Sequence, residues 1–179
     1  MDAIDAIMKR RSIRSYKKEQ ISDKDLESIL EAGKSGPGSG TIQLSVIQKP
    51  ELIEKINDAT KAVMLASPGF SKERASLPGY EPVYGAPTLI ILSSGDPNGI
   101  ANASCAAENM LVAATALGLG SCYLMSIRSA FNGEKGPELM KECGIPAGNT
   151  VCCAVITGYQ DGEAFKSSAP KVRTVNYVK

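Results

Sequence analysis

The sequence predicts an α/β mixture, an α+β fold class in which helices flank one sheet. Stretches with apolar residues at helical spacing alternate with short aliphatic stretches along the 179 residues. Thr88 to Leu92 is a continuous aliphatic run, which is typical of a strand buried on both faces of a sheet. Residues 101–117 are Ala-rich and apolar nearly all round, so we expect a helix enclosed by a large core or by a subunit interface. No boundary or repeat divides the chain, and one domain over 1–179 is expected.

The first predicted helix leads into a cluster of positive charge. Ile4, Ile7 and Met8 recur at helical spacing, which predicts a short helix that ends as the cluster begins. Residues 9–20 contain six Lys or Arg and one acid, whereas the whole chain has a net charge of +1. This near-neutral balance disfavours a nucleic-acid or anionic-lipid surface, and a nucleic-acid-binding domain built on 9–18 would also lack interleaved aromatic residues.

The charges at 10–14 have two interpretations. Arg10, Arg11 and Arg14 can be exposed cations near the C-terminal end of the first helix, where positive charge is favourable. Alternatively, their guanidinium groups bind phosphate oxygens in pairs of hydrogen bonds and Ser12 adds a donor, which makes a phosphate or flavin-edge site. The cluster alone does not decide between these interpretations.

A capping box marks the second helix. Ser22 and Asp25 have the Ser-x-x-Asp spacing, and an apolar helical face follows them. Gly33 and the Gly-rich run at 35–40 end this helix. The run is either a flexible linker or a loop whose backbone can approach a ligand closely.

The remaining elements follow from apolar runs and turn residues. Residues 67–87 contain four Pro and three Gly, and such a stretch in a compact domain is a lid or binding loop, or else disordered. The tail from 158 onward is polar. The other expected elements are a strand at 44–47, a helix at 51–66, the strand at 88–92, the helix at 101–117, a strand at 122–127, a further helix, and a strand at 150–157.

Residue types exclude several chemistries. The chain has no histidine, which excludes Ser-His and Cys-His nucleophiles and any zinc site with a His ligand. The five cysteines show no C-x-x-C spacing, so we expect reduced, mostly buried thiols and no metal site. They are Cys105, Cys122, Cys143, Cys152 and Cys153.

An uncharged segment at 109–127 has almost the length of a membrane span. Gly118 and Gly120 interrupt it, and they follow a helix without the third glycine of a dinucleotide-binding motif. We therefore expect these glycines to cap a buried helix that turns into a strand. With no apolar signal-peptide core at the N-terminus, the protein is expected to be cytoplasmic.

Five short motifs occur in a recognisable order. Together they resemble the nitroreductase family of FMN-dependent oxidoreductases over essentially the whole chain. The resemblance implies a nitroreductase-like central, mostly antiparallel sheet flanked by helices, in an interwound homodimer. The motifs are RRSIRSY at 10–16, GPGSGTIQLS at 36–45, GAPTLIIL at 85–92, AAENMLVAATALGLGSCYL at 106–124, and GYQ with KVR at 158–160 and 171–173.

The resemblance assigns residues from both ends of the chain to FMN. Arg10 and Ser12, with Lys171 and Arg173, would bind the FMN phosphate. Arg14 would lie along the ribityl chain and the N1/O2 edge of the ring, as the catalytic cation that stabilises negative charge during reduction. The cofactor-binding residues implied at the two ends are Arg10, Arg11, Ser12, Arg14, Lys171 and Arg173.

Two further segments are implied at the flavin. The first would reach the ring from the other subunit, with Pro37, Gly38, Ser39, Thr41 and Gln43 as its residues. The second would lie along the isoalloxazine and contains Leu124, Met125 and Ser126, although Leu124 and Met125 could equally be core. Thr41, Leu44, Ser45 and Asn102 stand where the family usually has Asn, Pro, Trp and an acid.

The implied activity is transfer of hydride from NADH or NADPH to FMN, then of electrons to a nitroaromatic, quinone or similar small acceptor, by a ping-pong mechanism at one site. Such a step requires no protein acid or base, which agrees with a chain that lacks histidine. Tyr80 and Tyr84 are candidates for a lid, or are surface tyrosines. The alternative is a flavin-binding redox sensor or store without turnover, which the altered second motif suggests.

Overall fold

The computed structural model describes residues 1–38, 40–163 and 173–179, and its centre is a four-stranded sheet flanked by helices. The strand order is β1-β2-β4-β3, and every neighbouring pair is antiparallel. This confirms the expected α+β class with an antiparallel central sheet. The elements in chain order are α1 Ala3–Lys9, α2 Asp23–Lys34, β1 Gln43–Ile47, α3 Pro50–Ala66, α4 Phe70–Ala75, β2 Thr88–Ser94, α5 Gly99–Ala116, β3 Gly120–Leu124, α6 Arg128–Asn132, α7 Gly136–Glu142 and β4 Thr150–Gly158.

Strand β2 is buried along its whole length, as its aliphatic run predicts. Successive side chains alternate between the two faces of the sheet. Leu89 and Ile91 join a core cluster that also contains residues of α3, α6 and α7. Ile90 and Leu92 join a second cluster formed with α2 and α5. The sheet therefore separates two hydrophobic layers, each covered by its own helices.

Helix α2 begins as its capping box predicts. The Ser22 Oγ accepts a hydrogen bond from the Asp25 N–H at 3.1 Å, and the same hydroxyl donates to the Asp25 carboxylate at 2.7 Å. At the other end, a Cβ added to Gly33 would lie 2.8 Å from Cγ of Met110 on α5. Glycine at this position therefore permits close packing of α2 against the central helix α5.

Of the two glycines predicted to cap α5, only Gly118 does so. Gly118 has φ +78 and follows the last turn, so it caps the helix as expected. Gly120 instead begins β3, where an added Cβ would lie 3.0 Å from Ile13. The expected strand at 122–127 was therefore misplaced. It runs over Gly120–Leu124, because the chain turns after Leu124.

Two helical regions also differ from expectation. The stretch at 67–87 contains helix α4, which starts after Gly69 at φ +71, so this part of the expected irregular loop was wrong. The helix expected between the last two strands is two short helices, α6 and α7. A Cβ at Gly136 would lie 2.1 Å from the Phe131 carbonyl oxygen, so the two helices approach too closely for any other residue.

Within the described ranges, none of the helices combines the length and the apolar character that crossing a bilayer requires. The uncharged segment at 109–127 is divided between the second half of α5, the turn at Gly118, strand β3 and the residues that lead into α6.

A buried amide attaches the end of the 67–87 stretch to α3. Asn57 is 8% exposed, and its Oδ1 accepts a hydrogen bond from the Val83 N–H at 3.1 Å. Its Nδ2 donates to the carboxylate of Glu81, which also lies 3.3 Å from Nζ of Lys61. These contacts use both ends of the Asn57 amide and hold residues 81–83 against the helix.

Replacing Asn57 by alanine should therefore destabilise the protein. The substitution leaves the buried Val83 N–H without an acceptor, which costs about 1–3 kcal/mol. Urea unfolding measures the loss, and Asp58→Ala on the exposed side of the same helix is the control. Equal free energies of unfolding for the two variants would contradict the anchoring role of Asn57.

Candidate active site

A cavity of about 620 Å³ lies beside β3, and we name it the β3 cavity. Its walls come from three parts of the chain, namely Arg14, residues within 64–84, and residues within 122–132. A second cavity of about 340 Å³, the α2–β1 cavity, is lined by residues within 33–44 together with Asn102 and Ala106 of α5. Only some of the sequence-predicted site residues line one of these two cavities.

Backbone pairing places Arg14 at the β3 cavity. The segment before it bridges to β3, where the Ile13 N–H donates to the Ser121 carbonyl at 2.9 Å. Ile13 is buried, and the hydroxyl of buried Tyr16 donates back to the Ile13 carbonyl at 2.8 Å. Arg14 is exposed between these two anchors. Its guanidinium lies 5.9 Å from the centroid of the Tyr84 ring.

Two tyrosines and a second arginine form the opposite wall. Nη2 of Arg74 donates a hydrogen bond to the Tyr84 hydroxyl at 2.5 Å, and its guanidinium lies 5.4 Å from the centroid of the Tyr80 ring. The two tyrosine rings meet edge to face at 5.9 Å. Burial and the neighbouring Tyr84 raise the pKa of Tyr80 to about 12, so its hydroxyl is neutral at physiological pH. Both lid candidates therefore line this cavity.

The β3 residues supply a largely apolar floor. Burial raises the pKa of the Cys122 thiol, and the nearby Arg14 opposes this shift without cancelling it. Leu124 is buried in the core and also lines the cavity, so the core interpretation holds and its contact with a flavin stays a prediction. Met125 is exposed, and Ser126 lines the cavity where the chain turns into α6. Arg14 and the Leu124–Ser126 segment thus meet at one cavity.

The Gly-rich segment packs against α5 and the end of β2. An added Cβ on Gly36 would lie 2.8 Å from Cα of Ala106, and one on Gly38 would lie 2.9 Å from the Asn102 side chain. Such close approach excludes a free linker for these residues, because their backbone packs against α5. Close approach of the same backbone to a ligand stays a prediction. Pro37, Gly38 and Thr41 line the α2–β1 cavity, so within one protomer they are separate from the cavity that contains Arg14.

An aspartate fixes the turn at the end of this segment. The Thr41 N–H donates to Oδ2 of Asp96 at 2.6 Å, and Oγ of Ser94 donates to the Thr41 carbonyl at 2.9 Å. Gly40 has φ +103, and a Cβ there would lie 2.3 Å from the same Asp96 oxygen. The turn therefore requires glycine for both its backbone conformation and its space.

The other predicted residues do not line either cavity. Nε of Arg10 forms an ion pair with Oε1 of Glu108 on α5 at 3.1 Å. Nη1 of Arg11 donates to the carbonyl oxygens of Met8 and Arg10, both at 2.8 Å, which is the helix-end capping expected for an exposed cation.

Ser12 bridges to Ser121 of β3, and Nε2 of Gln43 donates to the Gly144 carbonyl at 2.8 Å. Arg173 is exposed. Ser39 and Lys171 lie outside the described residues.

Sequence reasoning missed two cations of the β3 cavity, Arg74 and Arg128. Arg74 lies on α4, inside a stretch that the sequence marked as a possible binding loop. Arg128 begins α6, and its Nε donates to the Val151 carbonyl at 3.2 Å. No sequence signal distinguished either residue from a surface arginine, because their position at one cavity depends on long-range packing.

Replacing Gly40 by alanine should lower the free energy of unfolding more than replacing Gly79 by alanine does. Both glycines have positive φ, and this conformation costs an L-residue roughly 1–2 kcal/mol. A Cβ at Gly79 meets nothing within 4 Å, whereas one at Gly40 collides with Asp96 and adds about 1–3 kcal/mol. Chemical denaturation of the two variants measures the difference, and similar losses would refute the contact with Asp96.

Comparison with known proteins places this geometry in a family. Residues 7–159 match the family model described as Nitroreductase family. A nitroreductase with bound FMN from Bacteroides fragilis NCTC 9343 is 30% identical, with a TM-score of 0.88 over 100% of both chains. An FMN-bound nitroreductase from Desulfitobacterium hafniense DCB-2 shares the fold, with 24% identity and a TM-score of 0.88 over 98% of this chain and 100% of that chain. A protein of Archaeoglobus fulgidus with the provisional name NADH dehydrogenase/NAD(P)H nitroreductase is 28% identical over 177 residues, covering 90% of this chain and 87% of the relative. The chain belongs to the nitroreductase family.

Proposed function

We propose that this protein is an FMN-dependent oxidoreductase that uses NADH or NADPH to reduce a small organic acceptor, such as a nitroaromatic or a quinone, by a ping-pong mechanism. The observation that carries the proposal is that Arg14 and Leu124–Ser126, the residues assigned to the flavin ring by resemblance, line one cavity of about 620 Å³. Cavities of roughly 300–1,000 Å³ are the usual size for cofactors and drug-sized ligands. The FMN bound to the Bacteroides fragilis relative supports the same assignment.

The donor chemistry of the cavity suits a flavin. Within the part of the chain that the structure describes, Arg14 forms no ion pair with a carboxylate, so its charge is available to an anionic ring edge. Its Nη1 donates to the Ser12 carbonyl at 3.3 Å, which orients the guanidinium. The neutral Cys122 thiol and the Leu124 side chain supply the apolar surface against which an aromatic ring packs.

FMN, when bound, supplies a ring that accepts hydride from a nicotinamide and passes electrons to an acceptor. The role proposed for Arg14 is to hold a fixed positive charge beside the ring edge where negative charge develops. Tyr80 and Tyr84 would exclude water from one side of the cavity, and the neutral Tyr80 hydroxyl would add no charge. No acid or base from the chain is assigned to the reaction.

The phosphate contacts are proposed for Arg10, Ser12, Lys171 and Arg173, with Arg11 nearby. Arg10 is oriented by its ion pair with Glu108, so phosphate binding there requires the guanidinium to share or exchange this partner. Arg11 would act mainly through its charge, because its donors cap α1. Pro37, Gly38, Ser39, Thr41 and Gln43 are proposed to contact the cofactor from a partner subunit.

A homodimer is proposed for two reasons. First, the two predicted flavin-binding segments line different cavities within one protomer, and a partner subunit can bring them together. Second, α1 exposes its apolar side chains, with Ile4 70%, Ile7 50% and Met8 69% exposed. Exposed apolar clusters of this kind are typical of protein interfaces.

The proposal is tested by the absorption spectrum of the purified protein and by its response to reduced nicotinamide. Yellow protein should bleach under anaerobic conditions with NADH or NADPH and regain colour with a nitroarene or quinone. A colourless protein that does not bind added FMN would refute the proposal. Bound flavin that stays oxidised would indicate the redox sensor or store instead.

Replacing Arg14 by glutamine should weaken FMN binding by roughly ten- to hundredfold, since hydrogen bonds to charged groups contribute about 1.5–3 kcal/mol. Quenching of flavin fluorescence measures the dissociation constant. Lys17→Gln removes an equal charge from the same segment outside the cavity and is the matched control. If Arg14→Gln leaves both FMN affinity and the rate of flavin reduction unchanged, Arg14 has no place in the site.

Replacing both Ile4 and Met8 by glutamate should dissociate the proposed dimer, because charge buried at an apolar interface is strongly unfavourable. Sedimentation velocity measures the change from dimer to monomer. Ser28→Glu adds charge to the exposed face of α2 and serves as the control. A native protein that sediments as a flavin-loaded monomer would rule out the dimer.

A further inference from the structure

The β3 cavity has a charge composition unlike that of the whole chain. Its charged lining residues are Arg14, Arg74 and Arg128, and no Asp or Glu of the described residues lines it. The complete sequence has 20 Lys and Arg against 19 Asp and Glu. The positive charge is therefore concentrated locally, and low-dielectric walls focus such a field into the cavity.

None of these arginines forms an ion pair within the described residues. Every Asp and Glu of the chain lies among those residues, so no acid of the same protomer pairs with them. Glu81 follows Tyr80 directly in the sequence, but its carboxylate contacts Asn57 and Lys61 on α3.

Two of these cations contact the same side chain. The Arg14 guanidinium lies over the Tyr84 ring, and Arg74 donates to the Tyr84 hydroxyl. Like charges placed around one side chain repel each other. A bound anion would relieve this repulsion. The anionic edge of the proposed flavin would face Arg14, which would leave Arg74 without a counter-charge.

The surroundings of Arg74 indicate the shape of its ligand. The Tyr80 ring lies against the guanidinium, and Met64 and Phe70 line the same cavity. Aromatic and thioether groups favour a flat aromatic ligand. A guanidinium binds a carboxylate through two parallel hydrogen bonds, more selectively than a lysine would.

We propose that Arg74 is a specificity-determining residue that binds the carboxylate of an aromatic electron acceptor. The acceptor class of the proposed reaction is then a carboxylated nitroaromatic or quinone rather than a neutral one. The assignment of the acceptor rests on the proposed function. Binding of an aromatic carboxylate at Arg74 does not, because it can be measured without turnover.

The kinetic test compares 4-nitrobenzoate with its neutral analogue 4-nitrobenzamide on the FMN-loaded protein. In Arg74→Gln the ratio of kcat/KM for the two acceptors should fall at least tenfold, and Arg74→Lys should show a smaller decrease. Lys72→Gln removes the same charge from an exposed position of α4 outside the cavity and should keep the native ratio. An unchanged ratio in Arg74→Gln would overturn the proposal.

A binding test separates this inference from the proposed function. Calorimetric titration of oxidised, FMN-loaded protein with benzoate and benzamide should show a preference for benzoate that Arg74→Gln abolishes. If this preference is present but no acceptor is reduced, the anion site stands and the proposed reaction fails. If benzoate binds no better than benzamide to the native protein, the anion site is refuted even when nitroarenes are reduced.

Two further measurements test whether Arg74 binds the phosphate of FMN or of a dinucleotide instead of a carboxylate. Arg74→Gln should retain its FMN, and loss of FMN would assign Arg74 to the cofactor phosphate instead. Stopped-flow measurement of flavin reduction by NADH and NADPH should give dissociation constants within twofold of the native protein. A selective weakening of this step would show that Arg74 binds a dinucleotide phosphate, which would also overturn the proposal.

Discussion

The structure depends on the burial of β2 and β4 on both faces of the sheet. Because side chains alternate along a strand, each face needs its own hydrophobic cover, and α2 with α5 covers one face while α3, α6 and α7 cover the other. The two cavities follow from this arrangement. The α2–β1 cavity lies among the helices of the first face, and the β3 cavity lies beside the helices of the second.

The β3 cavity combines apolar walls with concentrated positive charge. Arg14 is placed by backbone pairing with β3, whereas Arg74 is placed by α4 and by its hydrogen bond to Tyr84. Asn57 holds residues 81–83, between the two tyrosines of the cavity, against α3. It accepts a hydrogen bond from the Val83 N–H and donates one to the carboxylate of Glu81. Packing therefore brings the arginines to the cavity, and it directs the carboxylate of Glu81 to Asn57 and Lys61 on α3. Such a site suits a flat ring with an anionic edge.

Sequence patterns predicted those elements whose signals are local. The Ser22 capping box located the start of α2, and the aliphatic run located β2, because both depend on neighbouring residues. Predictions were wrong where distant contacts intervene. The boundaries of β3 follow its pairing with β4, which lies much later in the chain. The division into α6 and α7 is a more local feature, where Gly136 approaches the nearby Phe131 carbonyl.

Composition and local patterns were sufficient to identify the α+β class, the capped helices, the family resemblance and the lack of histidine chemistry, since each depends on residue type and order alone. The tertiary structure was needed to locate the other determinants. The Gly-rich segment and Arg14 line different cavities of one protomer, and Arg10 forms an ion pair with Glu108. Arg74 and Arg128 line the β3 cavity together with Arg14. The physical reason is that charges distant in sequence interact only after the sheet and its two helical layers have brought them within a few ångströms of each other.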